Sequence, residues 1–241
     1  TVLVPKSGTI VPEYERRYSK PDVVINYNVV AITGFTRDYM VSDYEIPSDR
    51  VDLIYQGTDI VRYTPSEDRA AEAKVRYPLP PGAGPIIGSI GSFEERKAQM
   101  HLLRAIERVR KELPNVLLLL VGDGPDEGKL KREVAERRLK ENVLFLPFTS
   151  EPEYVFELLD FLVLASSHKE GLPNVLLESM AMATPVVSTR LAGTPEVVFE
   201  GETGYLVEPR DVGQLADAIV RMGADAEKRQ AMAAAGRALM T

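Results

Sequence analysis

From residue 86 onward the chain alternates between two hydrophobic rhythms. Short apolar runs at Ile86–Ile90, 116–121, 143–147, 161–165, 185–188 and Gly204–Val207 are separated by stretches in which apolar residues return every three to four positions. The runs suit strands buried on both faces, and the stretches suit helices with one apolar stripe. Helices are predicted over 99–112, where Leu102, Leu103, Ile106 and Val109 share a stripe, and over 127–138, 153–159, 196–199, 212–222 and 226–239. A further helix runs from the turn at Gly171 to Ala183, and Asp211 is placed to cap the one after it. Strands alternating with helices predict an α/β fold, a doubly wound parallel sheet of the Rossmann-like kind. Ligands of such sheets lie beyond the carboxyl ends of the strands. That rule selects four turns: 91–97, 122–125, 147–149 and 168–174.

Before residue 86 the pattern is less regular. Residues 1–5 suit a strand, and 13–20 are polar and poorly patterned. The β-rich run 23–33 leads into T-G-F-T-R-D-Y-M, which reads as a helix ending near Tyr44, and 50–55 is a second β-rich run closed by Gln56-Gly57-Thr58-Asp59. From 63 to 85 the composition shifts to Pro, Ala and charge, ending in P-L-P-P-G-A-G-P, which marks a linker with some helix around Glu67–Arg76.

Composition narrows the chemistry. The 241 residues are 44% hydrophobic, enough for a sizeable core, and the net charge of −7 supplies no global basic field for nucleic acid or an anionic membrane. There is no Cys, which excludes disulfides, cysteine nucleophiles and thiolate metal sites, and the two histidines, His101 and His168, are too few for a histidine-rich metal site. The longest apolar run, 116–121, is far short of the ~20 residues that span a bilayer. The chain opens at Thr1 without a charged-then-apolar leader and is read as a piece of a longer protein.

The stretch Glu170 to Glu178, E-G-L-P-N-V-L-L-E, places a Gly-Leu-Pro turn before a short apolar helix with a carboxylate at each end. Pro173 suits the first helical position, so amides between Leu172 and Leu176 are expected to lack acceptors and to favour a phosphate, with Gly171 allowing close approach. Glu178 lies about 8 Å along the axis at ~1.5 Å per residue, so one ligand could meet both carboxylates. Spacing alone is weak: Glu133/Glu141 and Glu200/Glu208 share it, and on a helical wheel Glu178 points away from the buried face of Leu176 and Met180. At the first turn, Gly91 and Ser92 with Arg96 and Lys97 offer backbone approach and two cations for a diphosphate. The G-D-G-P turn is expected to use its glycines for tightness and Asp123 to organise its own turn, and with no D-x-D pair no metal is expected. His168 reads as a ligand contact or a surface residue, and His101 as structural.

Together these turns resemble the retaining glycosyltransferases of family 4, also called glycosyltransferase group 1, in the C-terminal half of their GT-B fold. The resemblance runs from about Val29 to Ala235. V-V-A-I-T-G-F-T-R-D-Y-M and R-V-D-L-I-Y-Q-G-T-D resemble the segment entering the hinge, G-S-F-E-E-R-K the diphosphate turn, L-L-V-G-D-G-P the next strand and turn, and V-L-F-L-P-F the base-side turn. E-G-L-P-N-V-L-L-E-S-M-A resembles the paired-glutamate signature, followed by P-V-V-S-T-R-L-A-G-T-P-E-V-V and G-E-T-G-Y-L-V.

The resemblance implies a donor site for a nucleotide diphosphate sugar, with UDP or GDP as nucleotide and no required cofactor or metal. Glu170 and Lys97 would be its catalytic residues, Glu170 on the sugar hydroxyls and Lys97 on the departing diphosphate. Gly91, Ser92, Arg96, His168, Gly171, Leu172, Pro173 and Asn174 would surround sugar and phosphate, Glu178 would hold the ribose, and Pro147, Phe148 and Thr149 would line the base. It implies that 1–62 are a remnant of the acceptor-side domain and hinge, 63–85 a linker and 86–241 the nucleotide-sugar domain, and that this piece is inactive alone. The acceptor would be a glycan or lipid-linked sugar held mainly by the missing domain. The expected setting is cytoplasmic polysaccharide or glycolipid synthesis, with peripheral contact to the inner face of the membrane open. Ser92 departs from the family's usual arginine; either Arg96 supplies that charge or phosphate is held more weakly. A GT-B sugar-nucleotide epimerase and a non-catalytic nucleotide-sugar-binding module are the competing readings.

Overall fold

The computed structural model describes residues 28–241. The strand expected at 1–5, the stretch 13–20 and the first residues of the run 23–33 lie outside them. A two-stranded parallel sheet, β1 (Val29–Ala31) and β2 (Val51–Leu53), is covered by α1 (Gly34–Ser42) around a small core of Val29, Ala31, Met40 and Val51. Helix α2 (Glu67–Arg76) follows, opened by Ser66, whose hydroxyl accepts from Arg69 N at 3.3 Å.

The main sheet has six strands: β3 (Ile86–Ile90), β4 (Leu117–Val121), β5 (Val143–Leu146), β6 (Phe161–Leu164), β7 (Val186–Thr189) and β8 (Gly204–Val207). Between and after them run α3 (Gln99–Val109), α4 (Glu127–Glu136), α5 (Pro152–Phe156), α6 (Asn174–Ala181), α7 (Val212–Ala224) and α8 (Ala226–Met240). The strand order is β5-β4-β3-β6-β7-β8, every neighbouring pair parallel, so the expected doubly wound α/β sheet is the fold. All five residues of β4 are buried because both sheet faces are covered. Leu118 and Leu120 pack with Leu102, Ile106 and Ile219 on one face, while Leu117, Leu119 and Val121 pack with Val155 on the other.

The chain winds outward from β3 to β5, then returns to start β6 beside β3 and winds the other way. The crevice between the carboxyl ends of β3 and β6 is therefore the topological switch point, where sheets of this kind place ligands. The turns after those two strands hold residues 91–97 and 166–174.

Two expectations are corrected. Helix 196–199 does not form: one 3-10 turn, Thr194–Glu196, stands there, because the Glu196 carboxylate instead accepts from the α1 amides of Gly34 at 2.8 Å and Phe35 at 2.9 Å. Pro173 is the N-cap of α6 and not its first helical residue, since its ψ of 127° is extended. The segment 63–85 holds the helix expected at Glu67–Arg76. It is pinned to the six-stranded unit by Glu157, whose Oε1 accepts from Ser66 N at 2.9 Å and from Arg69 Nη1 at 3.3 Å, and by Arg76 to Glu151 at 3.0 Å.

Candidate functional site

The first turn is shaped by backbone meeting backbone. Gly91 N donates to Val121 O at 2.9 Å and Phe93 N to Asp123 O at 2.6 Å, so the G-D-G-P turn is the floor on which residues 91–93 lie. A Cβ on Gly122, whose φ is +143°, would stand 2.2 Å from Gly91 O. The Gly91 amide is thereby used within the sheet. Ser92 is exposed, and its hydroxyl bonds Glu94. Asp123 holds the turn through its backbone carbonyl.

This floor directs Arg96 and Lys97 toward the loop after β6. Lys97 Nζ donates to Glu170 Oε1 at 2.6 Å, Arg96 Nη1 donates to the same oxygen at 3.1 Å, and the buried Ser166 hydroxyl donates to it at 2.8 Å. Glu170 is only 6% exposed. The other arm of the Arg96 fork meets Glu94 at 2.8 Å. Glu94 is held below the usual carboxylate range, first by the Ser92 hydroxyl and then by Arg96. Ser167 N donates to Arg96 O at 2.8 Å, tying the two loops by backbone as well. Ser166 was not singled out from the sequence; its signal was a hydroxyl placed at the end of an apolar strand, on the switch-point edge.

Beyond Glu170 the loop turns into α6. Gly171 O accepts from Gly193 N at 3.0 Å, and the Leu172 side chain enters the core with Leu176, which leaves only its backbone toward the crevice. Leu176 N already donates to Pro173 O at 3.1 Å, so the amides of Asn174 and Val175 are those a helix start leaves without intrahelical partners. Exposed Asn174 accepts a hydrogen bond from Gln56, which comes from the segment after β2. His168 Nδ1 lies 2.8 Å from the Ser167 hydroxyl. His101, in the first turn of α3, is half-buried, its imidazole held below the ordinary histidine range chiefly by burial and then by Arg104 and Arg210.

Glu178 does not face open solvent as the helical wheel suggested. It is half-buried beneath Arg62 and Tyr63, which stand where the 63–85 segment begins. Burial holds its carboxyl above the usual glutamate range, while the Tyr63 hydroxyl, which donates to it, and Arg62 pull the other way. Tyr63 is itself pushed up to about 12, chiefly by burial and then by the Glu178 charge. Arg62 also meets Glu153 at 2.8 Å and bonds Ser150 O, so it joins the Glu178 end to the turn after β5. In that turn Pro147 and Phe148 are exposed, Phe148 by 68%, and the Thr149 hydroxyl accepts from Glu151 N at 3.0 Å.

The crevice therefore holds a cluster of two cations and a hydroxyl around one buried carboxylate, a helix start beside it, and a second carboxylate about one turn into that helix. Among the described residues no group of three or more His, Asp or Glu side chains is placed to hold a metal ion, and no helix is long and apolar enough to cross a membrane.

A family model described as glycosyl transferases group 1 matches residues 72–239. The chain is 32% identical over 217 residues to the GDP-mannose-dependent alpha-(1-6)-phosphatidylinositol monomannoside mannosyltransferase of Mycolicibacterium smegmatis, a match covering 87% of this chain and 56% of the relative. It is 29% identical over 208 residues to the alpha-D-kanosaminyltransferase of Streptomyces kanamyceticus, covering 85% and 53%. The structure of Anabaena HepE in complex with UDP and glucose matches with a TM-score of 0.87 at 21% identity, over 99% of this chain and 66% of that one, a likeness of fold. The chain thus spans about half the length of the curated relatives it matches. Family match and sheet topology agree: the chain belongs to the group 1 glycosyltransferases, and its six-stranded unit is the Rossmann-like C-terminal domain of the GT-B fold.

Proposed function

We propose that the chain carries the donor site of an enzyme that transfers a sugar, with retention of configuration, from a UDP- or GDP-sugar to a glycan or lipid-linked acceptor, without a resident metal. The observation that carries this reading is the convergence of Lys97, Arg96 and Ser166 on buried Glu170 at the switch point. Negative charge grows on the leaving diphosphate during transfer, and fixed cations and amides aimed there lower the barrier. Lys97, Arg96 and the start of α6 take that part, with Ser92, His168, Gly171, Pro173 and Asn174 around the phosphate and sugar. Glu170 takes the sugar hydroxyls, Glu178 the ribose, and Phe148 with Pro147 and Thr149 the base. GDP-mannose in one relative's name and UDP in one neighbour's complex point to those two nucleotides. In this reading residues 28–62 belong with the acceptor-side domain and hinge, and the whole enzyme works in the cytoplasm, at or near the inner face of a membrane.

Titration of UDP- and GDP-sugars against the full chain tests the reading, since ordinary donor affinities lie below about 1 mM. Saturable binding of one series is the expected result. A folded protein that binds neither by that concentration refutes it. Glu178→Ala should weaken sugar nucleotide and free nucleotide alike, and Glu170→Ala mainly the sugar-bearing ligand. Equal losses in both variants would overturn the division of roles.

A further inference from the structure

The cations of the crevice are already committed. Arg96 divides its fork between Glu94 and Glu170, and Lys97 Nζ sits 2.6 Å from Glu170 Oε1, so two positive side chains are balanced by two carboxylates. A diphosphate that draws Lys97 and Arg96 to itself takes two of the three donors from Glu170. That carboxylate is buried, and a buried charge stripped of its partners is costly unless new donors replace them. Only Ser166 would remain. Sugar hydroxyls are such donors. A bare nucleoside diphosphate, or inorganic pyrophosphate, brings only acceptor oxygens to this corner and meets an uncompensated negative charge.

We infer that Glu170 is an internal competitor for the diphosphate, a specificity-determining residue that sets sugar-bearing donors apart from bare diphosphates by withholding Lys97 and Arg96 until sugar hydroxyls take their place. The inference rests on the donor-site reading above and deepens it. It has a kinetic corollary: once the sugar has left, Glu170 reclaims both cations and the nucleoside diphosphate is released more readily. Substrate preference then arises partly from repulsion of the wrong ligand, the way many selective sites discriminate.

The test is calorimetric titration of the full chain with UDP, GDP, inorganic pyrophosphate and the sugar nucleotide that binds. Glu170→Gln keeps the shape and removes the charge; it should tighten the bare diphosphate by at least about tenfold, about 1.4 kcal/mol, and shrink the preference for the sugar-bearing ligand. Glu170→Asp, which keeps the charge, should bring no such gain. Bare-diphosphate affinity in Glu170→Gln that is unchanged within about twofold, or weaker, overturns the inference while leaving donor binding by the wild type intact. If the variant does not fold, wild-type crystals with bound sugar nucleotide decide: Lys97 Nζ must have left Glu170 for a phosphate oxygen, and an intact Lys97–Glu170 pair overturns the inference. A wild type that binds none of these ligands removes the donor-site reading and this inference with it.

Discussion

Replacing Gly122 by alanine probes the floor of the site through its contact with the Gly91 backbone. The added Cβ would stand 2.2 Å from Gly91 O and 3.0 Å from Gly91 C, and Gly122 has a φ of +143°. Both contacts are with backbone, so no side chain can swing aside; one turn must move by about 1 Å to restore van der Waals separation. Holding a non-glycine residue in that conformation costs about 1–3 kcal/mol. Moving the turn also strains the Gly91 N to Val121 O and Gly122 N to Leu146 O bonds, at 2.9 and 3.1 Å, each worth about 1 kcal/mol. A total near 3 kcal/mol lowers the melting temperature by about 6–12 °C for a chain of this size. The moved segment leads directly into Arg96 and Lys97, and a misplacement of about 1 Å can cost up to about 100-fold in a positioned reaction, so sugar-nucleotide affinity should fall by tenfold or more. The control is Gly91→Ala, whose Cβ meets nothing within 4 Å and which suffers only the conformational cost at φ +147°. Thermal unfolding by circular dichroism and calorimetric titration read both variants. A Gly122→Ala melting temperature no lower than that of Gly91→Ala, with binding unchanged, refutes the idea that this close approach fixes the turn of residues 91–97.

Three further outcomes follow from named contacts. Glu178→Gln should stabilise the fold near pH 7–8: burial raises the carboxyl's folded value, so the wild type carries a charge penalty above that value. The penalty fades as pH falls through it toward the ordinary glutamate range; a melting-temperature advantage that is constant from pH 4 to 8, or reversed, contradicts this. Arg237 donates to Tyr63 O at 2.7 Å, to Thr64 Oγ1 at 3.1 Å and to Ala181 O, so Arg237→Ala should cost about 2 kcal/mol and weaken nucleotide binding by freeing the segment that covers Glu178; urea unfolding and titration measure both, and a loss of stability with no loss of affinity would separate the two roles. A double-mutant cycle of Lys97→Met and Glu170→Gln should give a coupling of about 1.5–3 kcal/mol in thermal unfolding, and a value below about 0.5 would mean the pair contributes little.

The sheet was legible because strands covered on both faces must be apolar along their length, and all six runs became strands with no end shifted by more than about one residue. The turn of residues 91–97 with its two cations stands where the pattern put it for the same reason, since the strand end fixes where the turn begins. Local pattern failed wherever a distant segment supplied the deciding partner. The wheel placed Glu178 opposite the core face correctly, yet Tyr63 and Arg62, more than a hundred residues earlier, cover it. A helix at 196–199 suits the alternation with strands, but the amides of Gly34 and Phe35 draw Glu196 into a cap for α1. Ser166 carries no pattern of its own, and only the convergence on Glu170 gives it a role.

The three glutamate pairs spaced eight apart show why a motif needs its surroundings. Glu133 is engaged by Arg137 at 2.6 Å, one helical turn on, and Glu141 is exposed. Glu200 accepts from Leu206 N at 2.7 Å, and Glu208 lies 3.4 Å from Arg190, both on the surface. Glu133 is paired within its own helix, its side chain 12% exposed, and the other three lie at the surface, where ion pairs are worth at most about 1 kcal/mol and impose little. Glu170 and Glu178 are the pair withdrawn from water, one held by two cations and a hydroxyl, the other under a tyrosine whose own ionisation is suppressed. Burying two carboxylates lowers stability unless their partners compensate, so a fold that keeps both beside a helix start at its switch point retains groups poised to exchange those partners for a ligand's. In the proposed donor site the exchange at Glu170 would involve two cations and that at Glu178 chiefly the Tyr63 hydroxyl, which is why removal of charge should act on diphosphate affinity at the first and on fold stability at the second.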